Sequence, residues 1–271
     1  MPLSYDRSNH RLVYTETKAT SDFWDNHWKD SDLKKSILSG KSDFLVPLVT
    51  KLFLKPGQSV RILEGGCGKG QYVYALTSRG YDAYGIDYAK DTIDQIKSVM
   101  PELKVSFGDV RNLPFPNDHF DGYWSLGVIE HFFEGYESIA NEMSRVIKPG
   151  GYLFLTFPQL SVLRRVKARL GKYPDFQDTE LNRSHFYQFA LDYKIVAAHF
   201  KRRGFRLVFH KTLDGMGGLK RELGSEDFSQ FFRSLEKNRS FFAKLVRLCL
   251  DIILAPFSGH TILLVLKKKS L

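Results

Sequence analysis

Among its 271 residues the chain has only two cysteines, Cys67 and Cys249. Two thiols cannot form the disulfide framework that staples small secreted domains, and a reducing cytoplasm is the expected compartment. No uninterrupted apolar run approaches the roughly 18 residues that crossing a bilayer requires. The polar first ten residues offer no apolar leader segment. His, Cys, Asp and Glu do not cluster at metal-ligand spacing, so no metal is expected. A G-x-S-x-G elbow is also missing, which removes the common serine hydrolases. There is no internal repeat and no low-complexity tract, and the length suffices for one well-cored domain with appendages.

What is present begins at Arg61-Ile-Leu-Glu-Gly-Gly-Cys-Gly-Lys-Gly70. It reads as a buried strand ending on a carboxylate, Glu64, then a glycine loop through Gly65, Gly66 and Gly68, then a helix over residues 71–79. Such a loop lets backbone approach a ligand, and the N–H groups of the following helix point back at it. A dinucleotide site would need G-x-G-x-x-G, but Gln71 stands where the third glycine belongs. A pyrophosphate beside Glu64 would be repelled, which disfavours nicotinamide-linked oxidoreduction. A nucleoside carrying an ammonium group would gain from Glu64, and S-adenosylmethionine is such a ligand.

Further elements follow in order. Tyr81–Asp87 is a second strand ending on an acid, 17 residues beyond Gly70. A carboxylate there can accept from two ribose hydroxyls. A third short strand leads to Asp109 and Val110, placed for the adenine amino group and for an apolar wall. Phe120–Gly127 and Gly151–Phe157 are a fourth and a fifth strand. Between them lies a helix over 138–147, closed by the turn Lys148-Pro-Gly-Gly151.

With E-G-G-C-G-K-G at 64–70, G-I-D at 85–87, G-D-V at 108–110, D-G-Y-W-S-L-G-V-I-E-H at 121–131 and I-K-P-G-G at 147–151, the chain resembles the class I, Rossmann-like S-adenosylmethionine-dependent methyltransferases. The branch is the one acting on small molecules, quinones and glycans, and the resemblance is strong over residues 60–157. It implies an α/β fold with a doubly wound, seven-stranded, mostly parallel sheet and helices on both faces. By position it assigns Glu64 and the backbone near Leu126 to the methionine end, Asp87 to the ribose, and Asp109 with Val110 to the adenine. The domain organisation expected is an N-terminal helical extension over 1–55, then a methyltransferase domain over 56–271 with inserts at about 158–183 and 215–259; the stretch from Ser184 to Phe205 resembles the family's last helix before the sixth strand.

The chemistry expected is in-line methyl transfer, in which alignment supplies much of the rate. Tyr72, Tyr88 and Trp124 are aromatic candidates for the face beside a cationic sulfur, with simple packing as the alternative for each. A hydroxyl acceptor needs a base. Glu130 and His131 sit just past the fourth strand, and His131 is the candidate because imidazole titrates near neutral pH; its rival role is a structural hydrogen bond. His27, His185 and Tyr187 are candidate substrate contacts. Trp24 and Trp28 share a helical face with Phe23 and His27, which reads as core packing or as a cover over the cofactor.

Charge is unevenly spread. Residues 1–157 hold 18 Lys and Arg against 20 Asp and Glu, whereas residues 158–271 hold 22 against 10. The basic half points to an anionic partner, namely a membrane surface, a diphosphate-linked substrate or a nucleic acid; the alternative is a basic surface that serves only solubility. An apolar segment over 240–257, stopped by Pro256, carries Lys244, Arg247 and Asp251 as one polar stripe. It suits a lipid interface, burial on the core, or a homodimer contact. The function expected is O-methylation of a small or lipid- or glycan-linked acceptor by a cytoplasmic enzyme, peripheral at the membrane if that segment meets lipid. The alternatives are an RNA methyltransferase and a non-catalytic cofactor-binding scaffold. The chain lacks the Asn/Asp-Pro-Pro-Tyr/Phe tetrapeptide of DNA amino-methyltransferases after the fourth strand, and it carries no appended RNA-binding module.

Overall fold

Ile62, Leu63 and Glu64 are buried, as a strand covered on both faces by helices requires. They belong to β3 (Arg61–Gly65), at the centre of a seven-stranded sheet in the computed structural model, which describes residues 3–29, 32–223, 230, 234–235, 237–238 and 240–270. On one side of β3 lie β4 (Asp82–Asp87) and then β5 (Val105–Phe107). On the other lie β6 (Phe120–Leu126), β7 (Ile147–Pro158), β10 (Thr261–Lys268) and β9 (Phe205–Leu213). β10 alone runs antiparallel, paired to both β7 and β9. The expected doubly wound sheet is therefore present. Strand order reverses between β3 and β6, which opens a crevice beyond their carboxyl ends.

Helices cover both faces. On one, α2 (Leu33–Ser39), α3 (Leu45–Phe53), α4 (Gln71–Thr77) and α5 (Lys90–Val99) bury Ile37, Val49, Val73 and Ile96. Trp124 is wholly buried there, stacked on Phe154 and donating its indole N–H to Thr50 Oγ1 at 2.9 Å. That contact decides between the two readings of Trp124: it is core, not a wall for the cofactor. On the other face, α6 (Glu137–Val146) and α9 (Tyr193–Arg202) bury Ile139, Met143, Val196 and Phe200.

Four local expectations are corrected. The N-terminal extension is helical only in part: α1 (Ser21–Trp28), α2 and α3 follow a hairpin of β1 (Leu3–Asp6) and β2 (Arg11–Thr15). Residues 186–190, read as the start of a helix, form β8 (Phe186–Ala190), which pairs antiparallel with β2 to complete a second, three-stranded sheet. Lys148-Pro-Gly-Gly151 falls inside the span of β7 rather than before it, as an unpaired bulge opposite Asp121 with Gly150 at positive φ. Finally, Pro256 does not end its helix, α11 (Phe241–Ser258), which runs two residues further to the Gly259 cap.

The two inserts pack on each other. α7 (Val162–Arg169) buries Arg164, whose Nε donates to Glu222 Oε1 of α10 (Gly215–Leu223) at 2.8 Å. Arg164 also donates to Gln159 O, to Tyr14 Oη and to His260 Nδ1, and Glu222 receives Lys167 and Tyr173 as well. Both members of the central pair are essentially inaccessible to solvent.

Candidate active site

The crevice beyond β3 and β6 is a cavity of about 830 Å³. Its floor comes from strand ends and the loops after them: Gly66, Asp87, Tyr88, Asp109, Val110, Leu126 and Gly127 all line it. Gly66, Gly68 and Gly70 each have positive φ, so the loop after β3 adopts a path that few other residues tolerate. Gly68 is also closed from above, because a Cβ there would lie 2.9 Å from the Trp28 ring.

Asp87 is buried and accepts from Gly68 N–H at 2.8 Å and Ala89 N–H at 2.9 Å. Each oxygen keeps a lone pair, so the carboxylate is oriented without being exhausted. Burial raises its proton affinity against the lowering effect of those N–H groups. Glu64 is buried too, and its Oε2 has no hydrogen-bond partner among the described residues. Burial first, then the charge of Asp87, pushes its pKa well above the usual carboxylate range. A cation delivered beside it would relieve both effects. Asp109 lies at the rim with its carboxylate held by Arg111, Nη2 to Oδ2 at 2.5 Å.

Over this floor lies α1, capped by Thr20 Oγ1 accepting Phe23 N–H. Ser21 Oγ donates to Tyr88 O, Tyr88 Oη donates to Ala19 O, and Asp25 Oδ1 accepts both Thr92 N–H and its hydroxyl. No α1 residue is buried, and Trp24 and Trp28 line the cavity. The tryptophans therefore wall the crevice instead of filling the core. Their helical spacing marked a shared face and left it between core packing and a cover; in the structure that face looks onto the cavity.

At the opposite wall, a 3₁₀ turn at Ile129–His131 carries the two candidate catalytic residues. His131 lines the cavity and its Nδ1 lies 2.8 Å from Tyr187 O. A carbonyl can only accept, so Nδ1 carries the proton and Nε2 keeps a lone pair. Burial lowers the His131 pKa to about 4, against the Tyr187 carbonyl, which raises it. Glu130 points elsewhere: it is buried, does not line the cavity, leaves Oε2 unpartnered, and burial pushes its pKa up to about 8.

The structure therefore gathers Gly66, Asp87, Tyr88, Asp109, Val110, Leu126 and His131 on one cavity, with Glu64, Gly65 and Gly68 packed behind the loop. It does not bring His27 or His185 there. His27 is exposed and stacks on Phe23; His185 is exposed, with Nδ1 against Leu181 O. Tyr187 reaches the site indirectly, through its carbonyl and a ring 5.1 Å from that of His131. Tyr72 does not line the cavity. Sequence reasoning missed Lys18 and Arg183, which lie at its wall. Among the described residues of the two inserts, Arg183 alone lines it. No group of His, Cys, Asp and Glu among the described residues is arranged to hold a metal.

Residues 63–155 match the family model described as a methyltransferase domain. The chain is 33% identical over 101 residues to a fatty-acid O-methyltransferase of Mycolicibacterium smegmatis, covering 35% of this chain and 36% of that protein. It is 36% identical over 103 residues to the "Probable tRNA methyltransferase 9B" of Bos taurus, covering 37% of this chain and 21% of the relative. The aligned region spans less than half the length of such curated relatives. An S-adenosylmethionine-dependent methyltransferase structure from Methanosarcina mazei superposes with a TM-score of 0.54 at 16% identity, covering 82% of this chain and 98% of that one; at that identity the likeness concerns fold. The family's cofactor is S-adenosyl-L-methionine, and a cavity with the oriented acid Asp87 on its floor and the buried carboxylate of Glu64 behind the glycine loop fits a nucleoside whose tail carries an ammonium group. Motifs, strand order and family match converge on residues 63–155 as a methyltransferase domain of the class I, Rossmann-like S-adenosylmethionine-dependent kind.

Proposed function

We propose that this chain transfers a methyl group to a hydroxyl of a small or lipid- or glycan-linked acceptor, with His131 as the base. The observation that carries this reading is the His131 ring, tied at Nδ1 to a backbone carbonyl and set in the cavity wall with Nε2 unprotonated. When bound, the cofactor supplies an electrophilic methyl carbon. The protein's work is then to hold, orient and exclude water.

Asp87 would hold the ribose hydroxyls, Asp109 and Val110 the adenine, and Glu64 with the backbone at Gly65, Gly66, Gly68 and Leu126 the amino-acid end. Tyr88, Trp24 and Trp28 would enclose the reacting centre and keep water out. His131 Nε2 would take the hydroxyl proton, while the Tyr187 carbonyl fixes the ring and favours the imidazolium as it forms. Glu130 is better suited to shaping the wall than to moving protons, since it does not face the cavity. Likeness to a fatty-acid O-methyltransferase supports an acceptor with an apolar tail. A cytoplasmic enzyme that meets its acceptor at a membrane suits the basic second half; no described helix is long and apolar enough to cross one.

Calorimetric titration tests the cofactor assignment. S-adenosylhomocysteine should bind, NADH should not, and Asp87→Ala should weaken the former by about tenfold or more, as loss of a charged hydrogen-bond acceptor implies. Methyl transfer from labelled cofactor to fatty-acid, isoprenoid-quinol and tRNA acceptors then separates lipid from RNA. His131→Ala should lower turnover by about 10²–10⁴-fold with cofactor affinity unchanged. Turnover that survives this change removes His131 as base; cofactor binding with no transfer to any acceptor favours a scaffold.

A further inference from the structure

α11 is turned inside out for a surface helix. Two of its polar side chains face the protein: Asp251 Oδ1 accepts Met216 N–H at 3.0 Å, and Ser258 Oγ donates to Gly215 O at 2.7 Å. The contact with α10 is close, because Gly215 lies where a Cβ would meet the Asp251 carbonyl and Ala255 backbone. The large apolar side chains are left outside. Phe241, Phe242, Leu245, Leu248, Ile252 and Ile253 are between 46% and 83% exposed. At 100° per residue they share one side of the helix, with Cys249 among them. Water in contact with so continuous an apolar face costs free energy, so such a face marks an interaction surface.

Charge identifies the occupant. The described acids on α7, α10 and α11 are Glu222 and Asp251, and both are turned inward and hydrogen-bonded. α7, which touches α11, adds exposed Val162 and Val166, with exposed Leu170 at its C-cap. Exposed cations accompany this surface: Lys244 on α11, and Arg169 and Lys172 at the end of α7. Residues 158–271 carry 22 Lys and Arg against 10 Asp and Glu, so a second copy docking here would bring two cationic halves together. A bilayer with anionic headgroups supplies both the apolar depth and the opposite charge.

We propose that the outward face of α11, flanked by α7, docks this protein on the surface of an anionic lipid bilayer. α11 lies in the plane of the interface with Phe241, Leu248 and Ile252 among the acyl chains and Lys244 at the headgroups. This surface lies outside the crevice, since no α11 residue lines it, and the inference does not depend on which acceptor is methylated.

Cys249 provides the probe, because it is exposed while Cys67 is buried. An environment-sensitive fluorophore on Cys249 should shift to the blue, and the protein should float, with vesicles of phosphatidylcholine plus phosphatidylglycerol. Both effects should weaken with added salt. Leu248→Glu with Ile252→Glu should lower partitioning on the order of tenfold or more, with S-adenosylhomocysteine affinity and melting temperature unchanged. Labelled protein that neither shifts nor floats overturns the proposal. So does a dimer, seen by sedimentation, that alone shields Cys249 and is abolished by the double variant.

Discussion

The crevice and the junction between the inserts both bury charged groups, and they treat them in opposite ways. At the junction, Arg164 and Glu222 are fully removed from water, and every hydrogen-bonding nitrogen of Arg164 is used. Burial works against the Glu222 charge, but hydrogen bonds from Lys167, Tyr173 and Arg164 outweigh it and hold its pKa below the usual range. Behind the crevice walls, Glu64 and Glu130 each leave one oxygen without a partner among the described residues, and burial drives both toward the neutral form. A satisfied buried ion is complete in itself and serves the fold. An unsatisfied one in or behind a cavity is a cost that the fold carries for something else.

The largest effect that could break this comparison is at the junction. Glu222→Ala leaves Arg164 charged and stranded, and chemical denaturation should report a loss of about 3–5 kcal/mol. Because the cluster does not line the crevice, the folded protein should keep its cofactor affinity by calorimetry. A variant of wild-type stability would mean that water reaches Arg164.

Acid should separate the regions next. The imidazole of His260 is pulled from the ordinary 6.5 to about 3 by burial and by Arg164. The unfolded chain takes up a proton below 6.5 that the folded chain refuses, so stability is full above that pH and lost as pH falls toward 3. Between pH 6.5 and 5 the loss should be about 2 kcal/mol, visible as a falling melting temperature. His131 follows the same rule down to about 4. His260→Gln should flatten part of the acid slope, leaving the share due to His131.

The pH dependence of turnover then sharpens the roles of the crevice residues. A base with a pKa of about 4 is already unprotonated at pH 6, so the acid limb of kcat/KM should fall near 4. Were Glu130 the base, the limb would lie near 8. The smallest effect is the most telling. The Glu130 carboxyl costs stability as pH rises from 4.5 toward 8, since burial opposes its ionisation. Glu130→Gln should therefore raise stability at pH 8 by about 1–2 kcal/mol, measured by denaturation, where most buried substitutions lower it.

Much of this architecture is legible in the chain because the signals are local. A strand ending on Glu64 and a glycine loop at 66–70 need only neighbouring residues to be read, and the same holds for the acids at 87 and 109. What escaped reading depends on contacts between distant segments. Phe186–Ala190 becomes a strand only because β2 offers it an edge, across more than 170 residues. Trp124 has the composition of a ligand wall and is core because Thr50 and Phe154 meet it there. The stripe Lys244, Arg247 and Asp251 was visible as a stripe, but periodicity does not say which side faces the protein. α10 decides that, through the backbone at Gly215 and Met216.

The second sheet also bears on the order of events in folding. β2 cannot pair with β8 until the chain has reached residue 190, and that pairing anchors the segment leading into α1. Closing so long a loop is slow compared with forming the strand–helix units around β3 and β4. The nucleotide platform should therefore take shape first and the tryptophan cover last. In refolding experiments, quenching of Trp24 and Trp28 should lag behind burial of Trp124. A newly made chain would then have a floor for its ligand before it had a roof.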